Sequence, residues 1–241
     1  SHLSETVHYQ DSVHTQHGMK PVFFCESVGW LGADVWFAHL VKLDADEIAL
    51  LGATGTGIAH CPQSNGRLGS GIAPVRELEA AGAAVSIGVD GAASNEAADM
   101  LSETHAAWLM QRAKAGEATT PVYRGGQGEA EAAASATVED VVRWGTAGGA
   151  KVLGLPGIGT LAPGQAADIA IYALDRDPRY FGLHDPAIGP VASGGSAHLK
   201  ALLRGGQEIV REGAIPGLDL AELGQQARAA VARLTGLSAG G

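Results

Sequence analysis

The chain has 241 residues, 46% of them hydrophobic, and its 16 basic and 26 acidic side chains give a formal net charge of −10. A chain of this length and apolar content buries a sizeable core and is not expected to be disordered. Its basic residues form no cluster that could follow a phosphate backbone, so nucleic acid is not an expected partner.

Cysteine usage and hydropathy indicate the environment of the protein. Cys25 and Cys61 do not form a C-x-x-C pair, which argues against a disulfide framework or a thiolate zinc site and favours a reducing cytoplasm. The sequence contains neither a run of about 18 apolar residues nor a basic start followed by an apolar stretch. We therefore expect a soluble, cytoplasmic protein that does not associate with membranes.

Short apolar runs alternate with helical patterns along the first half of the chain. The predicted strands lie within 34–41, 55–62 and 83–91. The predicted helices span 44–54, 74–82 and 95–116. Alternation of strand and helix at this spacing indicates βα units and a parallel sheet, so the expected fold class is α/β.

Several helix ends carry capping residues. Asp44, with Glu47 three residues on, predicts a capped N-terminus. Pro74 suits the first turn of the next helix, and Gly82 suits its C-terminal cap.

The pattern changes after residue 116. Residues 117–136 are rich in Gly, Ala and Glu without an apolar period, and we interpret them as a loop or lid. Residues 137–154 predict a further helix, with Thr137 as its N-cap.

The C-terminal third reads mainly as β structure. Strands are expected within 157–175, and residues 199–213 predict a hairpin that turns at Gly205 and Gly206. An amphipathic, Ala-rich helix is expected at about 219–236.

Three polar residues fall at or just beyond the ends of predicted parallel strands: His39, His60 and Asp90. Such strand ends are where parallel sheets and barrels build active sites. A single buried histidine is more often a hydrogen-bonded core residue than a ligand. A carboxylate such as Asp90 is costly to bury unless it is paired or bound to a cation, so for Asp90 we favour a functional role.

His2 and Glu5 extend this set. Positions i and i+3 of a regular strand point to opposite faces, so we expect His2 on a strand and Glu5 just past its end. Imidazoles and a carboxylate around one point, with a second carboxylate nearby, suit a divalent metal that activates water together with a separate acid/base group.

Five ordered motifs carry a family resemblance: HLSE (2–5), FAHLVKL (37–43), HCPQSNGRLGSG (60–71), GVDGAASN (88–95) and GIGTLAPGQAADIAIYALD (157–175). With them the chain resembles the amidohydrolase superfamily, in its branch of aromatic-heterocycle deaminases such as the 8-oxoguanine and isoxanthopterin deaminases. The implied fold is the C-terminal half of a (β/α)8 TIM-type barrel, strands 5–8, with part of a small β-sandwich. The corresponding divisions are 1–155 for the barrel half, 156–215 for the sandwich segment and 216–241 for a C-terminal helix.

The resemblance also implies roles for the site residues. His2 and Asp90 would bind the metal, and Asp90 would take the proton of the attacking water. His39 would orient that water, and Glu5 would shuttle a proton to the substrate ring. His60 and Asn65 would shape the substrate pocket.

Arg67 stands in a Gly-rich stretch, 65–71, that we interpret as a loop over the pocket mouth. There it is a candidate to meet a substrate carbonyl.

The family pattern also includes an H-x-H pair at the end of the first barrel strand, and this sequence contains no H-x-H. We therefore expect the chain to be the C-terminal half of a longer polypeptide. A half barrel alone would bind metal weakly through His2 and Asp90 and would expose apolar sheet edges.

The expected function is hydrolytic deamination of a purine- or pterin-like heterocycle, with release of ammonia. The cofactor is one divalent metal, zinc first and iron second, because the donor set suits both. Two alternatives stay open: another C–N or C–Cl hydrolysis, as on an s-triazine, and an inactive half-barrel that only associates. The resemblance further implies a homo-oligomer.

Overall fold

Four short strands alternate with helices in the first part of the computed structural model, which describes residues 1–119 and 129–236. The strands are β1 (His2–Leu3), β2 (Trp36–His39), β3 (Gly57–His60) and β4 (Val85–Ile87). All three pairings are parallel, and the spatial order β1-β2-β3-β4 follows the chain. The predicted α/β class with a parallel sheet is confirmed.

Helices follow and flank these strands. They are α1 (Val7–His17), α2 (Pro21–Ser27), α3 (Ala45–Thr54), α4 (Pro62–Leu68), α5 (Val75–Ala81), α6 (Met100–Glu117), α7 (Glu129–Ala134), α8 (Val138–Arg143) and α9 (Gly149–Val152). A π-helical turn, Trp144–Gly148, joins α8 to α9. The expected helix over 137–154 is therefore confirmed as one continuous helical stretch with a π segment in it.

Three of the predicted caps are present, whereas Pro74 lies at the N-cap of α5 rather than inside its first turn. Asp44 and Glu47 form a reciprocal capping box at the start of α3. Thr137 forms another at α8, and Gly82 ends α5 with φ of 109°. These local signals were sufficient to place three helix ends, because each involves residues within one turn of each other.

Several expectations needed correction. The stretch 65–71 is not simply a loop, since α4 continues to Leu68 and Gly69 caps it. The expected loop or lid over 117–136 contains α7, and its residues 120–128 lie outside the described residues. Helix α6 begins at Met100 rather than 95, because the preceding residues turn around Asp90 and Asp99 caps the helix.

The later strands form a separate antiparallel sheet. Its members are β5 (Ile169–Ala173), β6 (His198–Arg204) and β7 (Gln207–Arg211), in the order β5-β6-β7. The predicted hairpin between β6 and β7 is confirmed, with Gly205 and Gly206 at φ of 55° and 80°. Helix α10 (Gly189–Ala192) precedes this hairpin, and α11 (Leu220–Thr235) follows it. Within the motif 157–175, only Ile169–Ala173 forms a strand.

The chain divides into two compact units. The first is Ser1–Ala166 with Leu174–Ala197, and the second is Ala167–Ala173 with His198–Gly241. These limits differ from the boundaries at 155 and 215 expected from the sequence. The reason is that β5 pairs with β6 in the second unit, while the segments on either side of β5 belong to the first. The functional division into 1–155, 156–215 and 216–241 stays a prediction.

The first unit is built around an apolar core that also contains ionisable side chains. Its largest fully buried side chains are Trp144, Phe37, Leu40, Leu51, Ile58, Leu78, His39, His60, Glu47, Glu103, Val22 and Val75. Burial of two histidines and two glutamates among these apolar residues is unusual for a purely structural core. Within residues 1–119 and 129–236, no helix has both the length and the hydropathy that a membrane crossing requires.

Candidate metal centre

Three of the predicted site residues converge at the carboxyl ends of the parallel strands. One ligand atom each from His2, His39 and Asp90 lies within 4.8 Å of the others. The Nε2 atom of His2 is 3.6 Å from Asp90 Oδ1, and the Nε2 atom of His39 is 3.7 Å from Asp90 Oδ2. The parallel register brings these strand ends together, as His2 lies opposite Ala38, the residue before His39.

Left-handed backbone conformations mark the same strand ends. Ser4, His39, Leu40 and Asp90 have φ of 50°, 75°, 46° and 62°. Such conformations are unfavourable for residues with side chains, and they cluster at functional sites when the surrounding structure holds them. Glu5 lies just past the end of β1, as expected, and the bend at Ser4 turns it towards the same point. Its Oε2 atom is 3.8 Å from Nε2 of His39.

His39 is held on one side and free on the other. Its ring is 1% exposed, and its Nδ1 atom lies 2.8 Å from Oδ1 of Asn65. With that oxygen as acceptor, Nδ1 carries the proton and Nε2 presents a lone pair. The Nε2 atom is buried without a hydrogen-bond partner. An orphaned lone pair aimed at two carboxylates is suited to a metal or to a water bound there.

Asp90 receives several hydrogen bonds. Its Oδ2 atom accepts from Ser64 Oγ at 2.6 Å and from Ser94 Oγ at 3.2 Å. Burial acts to raise the pKa of Asp90, but the hydrogen bonds from Ser64, the Gly91 backbone and Ser94 hold the pKa below its usual value. Asp90 is therefore ionised at neutral pH, and Oδ1 is directed towards His2.

Glu5 has its own support. Ser70 Oγ donates to Glu5 Oε1 at 3.1 Å, which leaves Oε2 on the side of His39. One oxygen is thus anchored while the other faces the cluster. This is the arrangement that a proton-transfer group beside a reacting ring requires.

The other predicted pocket residues lie in different surroundings. His60 is fully buried with both ring nitrogens unpartnered, and burial, with the nearby His39, lowers its pKa to about 3. Asn65 is buried against His39. Arg67 is not brought to the cluster: its side chain is half exposed and pairs with Glu96 at 2.7 Å.

Sequence reasoning missed the residues that hold the site. Ser64, Ser70, Ser94, Asn95 and Glu103 are buried and bond to Asp90, to Glu5 or to the loop around Asp90. Ser94 and Asn95 lie within the GVDGAASN motif, so their proximity to Asp90 was the available signal. The contacts of Ser64, Ser70 and Glu103 come from residues up to 65 positions away, and no local pattern announces them.

The donor set fits a divalent metal. Imidazole nitrogens and a carboxylate oxygen are the ligand types of zinc, and the same set also suits iron. The buried, unpartnered Nε2 atom of His39 and the ionised Asp90 are the specific observations that favour a cation here.

Comparison with known proteins agrees with this geometry. A family model described as the amidohydrolase family matches residues 1–212. The chain is 63% identical to an isoxanthopterin deaminase from an unknown prokaryotic organism and 41% identical to the 8-oxoguanine deaminase of Pseudomonas aeruginosa. Each alignment covers 97% of this chain and 48% of the relative. The chain therefore spans about half the length of these curated relatives.

A solved structure shares the fold. The crystal structure of an adenosine deaminase from Xanthomonas campestris, with bound zinc, superposes with a TM-score of 0.83 at 25% sequence identity. The match covers 97% of this chain and 50% of that one. The family resemblance inferred from the five motifs is confirmed.

Proposed function

The chain belongs to the amidohydrolase family, and from that premise we propose that it forms part of a metal-dependent aminohydrolase. The proposed reaction is hydrolytic removal of an amino group, as ammonia, from a purine- or pterin-like heterocycle. The observation that carries the proposal is the convergence of His2, His39 and Asp90 within 4.8 Å at the strand ends. The names of the two deaminase relatives support the substrate class.

The four parallel strands are proposed to be strands 5–8 of a (β/α)8 barrel, with β5–β7 as part of a small β-sandwich. In the order β1-β2-β3-β4 each strand pairs with the next strand along the chain, as consecutive barrel strands do. Two further ligands, as an H-x-H pair, are proposed to lie outside these 241 residues. The protein is further proposed to act as a homo-oligomer.

One divalent metal, zinc in first place, would be held by His2 and Asp90. When bound, it supplies the Lewis acidity that lowers the pKa of water from 15.7 to about 7. The left-handed backbone at Asp90 directs its carboxylate to this point, and Ser64 fixes one of its oxygens.

The side chains of this chain then divide the proton transfers. Asp90 accepts the proton of the attacking water, since its carboxyl is ionised at neutral pH. His39 orients that water through Nε2, because Asn65 holds its other nitrogen. Glu5, in its protonated form, delivers a proton to the ring nitrogen as the oxygen of water bonds to the carbon that carries the amino group. The proton held by Asp90 then passes to the exocyclic nitrogen, the carbon–nitrogen bond breaks, and ammonia leaves, while the remaining hydroxyl proton returns to Glu5. Acid–base transfers of this kind typically contribute about 10²- to 10⁴-fold.

The pocket walls are proposed to include His60 and Asn65, both buried next to His39. A role for Arg67 requires its side chain to exchange Glu96 for a substrate carbonyl. An exposed ion pair of this kind contributes at most about 1 kcal/mol, so the exchange is energetically accessible.

Ammonia release by the full-length protein tests the function. With zinc present, isoxanthopterin, 8-oxoguanine and a chlorinated s-triazine are each offered as substrate. We expect ammonia from a pterin or purine ring, loss of turnover on chelation, and recovery when zinc is restored. Chloride release from the triazine, without ammonia from either ring, would contradict the proposed reaction. No turnover at all by zinc-replete protein would contradict catalysis and favour a packing role.

A further inference from the structure

Glu103 is a buried acidic side chain that takes no part in the chemistry above. It lies on α6, is 0% exposed, and accepts hydrogen bonds from two different segments. Its Oε2 atom accepts from the backbone N–H of Gln63 at 3.3 Å, and its Oε1 atom accepts from Nδ2 of Asn95. One carboxylate thus joins the start of α4 to the loop after β4.

Both of these segments hold Asp90. Asn95 donates from the same Nδ2 atom to the carbonyl of Val89, the residue before Asp90, at 2.9 Å. Ser64, next to Gln63, donates to the Asp90 carboxylate. Glu103 therefore supports Asp90 indirectly. Asn95 links it to the backbone before Asp90, and the segment of Gln63 and Ser64 links it to the Asp90 side chain.

The chemistry of these contacts requires an acceptor-only group. The Gln63 N–H and the Asn95 amide are both donors, and an ionised carboxylate accepts from both. Burial raises the pKa of Glu103 to about 7, against the lowering effect of these two donors, and the charges of Asp90 and Asp99 add to the rise. At pH 8 the group is therefore mainly a carboxylate.

We propose that Glu103 is a positioning residue for Asp90. Its carboxylate fixes residues 88–95 against the start of α4, and so sets the direction of the Asp90 carboxylate. Asp90 has φ of 62°, a conformation that the surrounding structure must hold. This role rests on the proposed function, in which Asp90 binds the metal and receives the proton.

The substitution Glu103→Gln tests this role with little change in volume. Glutamine presents an oxygen to one donor and an NH₂ group to the other, so one of the two bonds is lost. At pH 8 we expect zinc affinity and kcat of the full-length protein to fall by about 10- to 100-fold, as when outer partners of metal ligands are removed. KM should change much less than kcat. Glu117→Gln, on the exposed end of the same helix, is the matched control and should leave both unchanged.

Hydrogen exchange separates failure of this role from failure of the proposed function. The amides of Ser94 and Asn95 bond to the Gly91 carbonyl, and we expect both to exchange faster in Glu103→Gln than in the control, with or without zinc. Unchanged exchange in the variant would overturn the positioning role, whatever the protein catalyses. Faster exchange without any turnover by the wild type would support the role and count against the proposed function.

Asn95→Ala tests the same contact from the loop and serves if Glu103→Gln folds poorly. It should lower zinc affinity and kcat to a similar extent, and the double variant should lose less than the product of the two single losses. Independent, multiplicative losses would overturn the proposed link. A lowered unfolding midpoint, with zinc affinity and kcat per folded molecule unchanged, would show that Glu103 is merely structural.

Discussion

His39 connects the backbone of the site to its chemistry. Its left-handed φ of 75° turns the ring out of the strand direction, Asn65 holds Nδ1, and Nε2 is left facing Glu5 and Asp90 at 3.8 and 3.7 Å. The ring lies as close to Asp90 as His2 does. We assign His39 to orienting water and His2 to binding the metal. Loss of the first role should lower kcat, and loss of the second should lower zinc affinity.

For His39→Asn we expect kcat of the full-length protein to fall by about 10²- to 10⁴-fold, because the attacking water loses its orienting acceptor. Zinc affinity, measured by competition with a chelator, should stay within a few-fold of the wild-type value. His14→Asn, an exposed histidine on α1, is the control. If zinc affinity falls as far as kcat, His39 is a ligand and the assignment is wrong.

The sequence allowed some of these residues to be predicted and not others. His2 and His39 lie in strands and Asp90 just past one, and the parallel register then brings these strand ends together without further information. Asn65 is 26 positions from His39, and its contact depends on how α4 packs beside the strand end. Arg67 shares the motif with Asn65, yet two positions along a helix separate a buried side chain from an exposed one.

The elements show the same limit at a larger scale. Helix α3 was predictable because its capping box and C-terminal glycine are local. Helix α1 has no buried residues, so it carries no apolar stripe that could announce it. Helix α4 contains Gly66, a poor helix former, but a Cβ there would come within 2.9 Å of Met110 on α6. The end of the Met110 side chain therefore fills the space beside Gly66, which favours glycine at a position where helix propensity alone does not.

Two adjacent glycines give a prediction for the helical stretch after α8. A Cβ at Gly148 would lie 2.1 Å from the carbonyl oxygen of Val85 on β4, whereas a Cβ at Gly149 would meet nothing within 4 Å. Both have helical backbone, with φ of −63° and −58°. We expect Gly148→Ala to lower the free energy of unfolding by about 1–3 kcal/mol.

Gly149→Ala should instead raise the free energy of unfolding by about 0.4–1 kcal/mol, because alanine restricts the unfolded chain. Urea denaturation of the two variants beside the wild type measures both effects. Equal midpoints for the two variants would show that the stretch does not pack against β4 as described.

At the scale of the whole molecule, the burial of an ionisable side chain affects the free energy of unfolding. Two units are present, and the first contains the buried Glu103 as well as the strand-end cluster. The chain spans about half the length of its curated relatives, so the proposed activity is that of the full-length protein and not of these 241 residues alone. The folding equilibrium can be measured on the full-length protein.

Glu103 gives that equilibrium a pH dependence. Its pKa is raised from 4.5 to about 7 in the folded chain, so the folded state binds more protons than the unfolded state between these values. The stabilisation is complete below pH 4.5 and is lost as pH rises to about 7, a change on the order of 3 kcal/mol. Glu103→Gln should remove this part of the decline, measured by denaturation at several pH values, and Glu117→Gln should retain it. Parallel pH profiles for wild type and Glu103→Gln would contradict the assignment.

Turnover by Asp90→Asn is the sharpest test of the proposed function, because Asp90 is proposed both to bind the metal and to accept the proton of water. Ammonia release by the full-length protein should fall by at least about 10²-fold, with the circular dichroism spectrum close to wild type. Asp11→Asn, an exposed carboxylate on α1, should retain wild-type turnover. Near-normal ammonia release by a folded Asp90→Asn protein would show that Asp90 is neither the metal ligand nor the proton acceptor of the reaction.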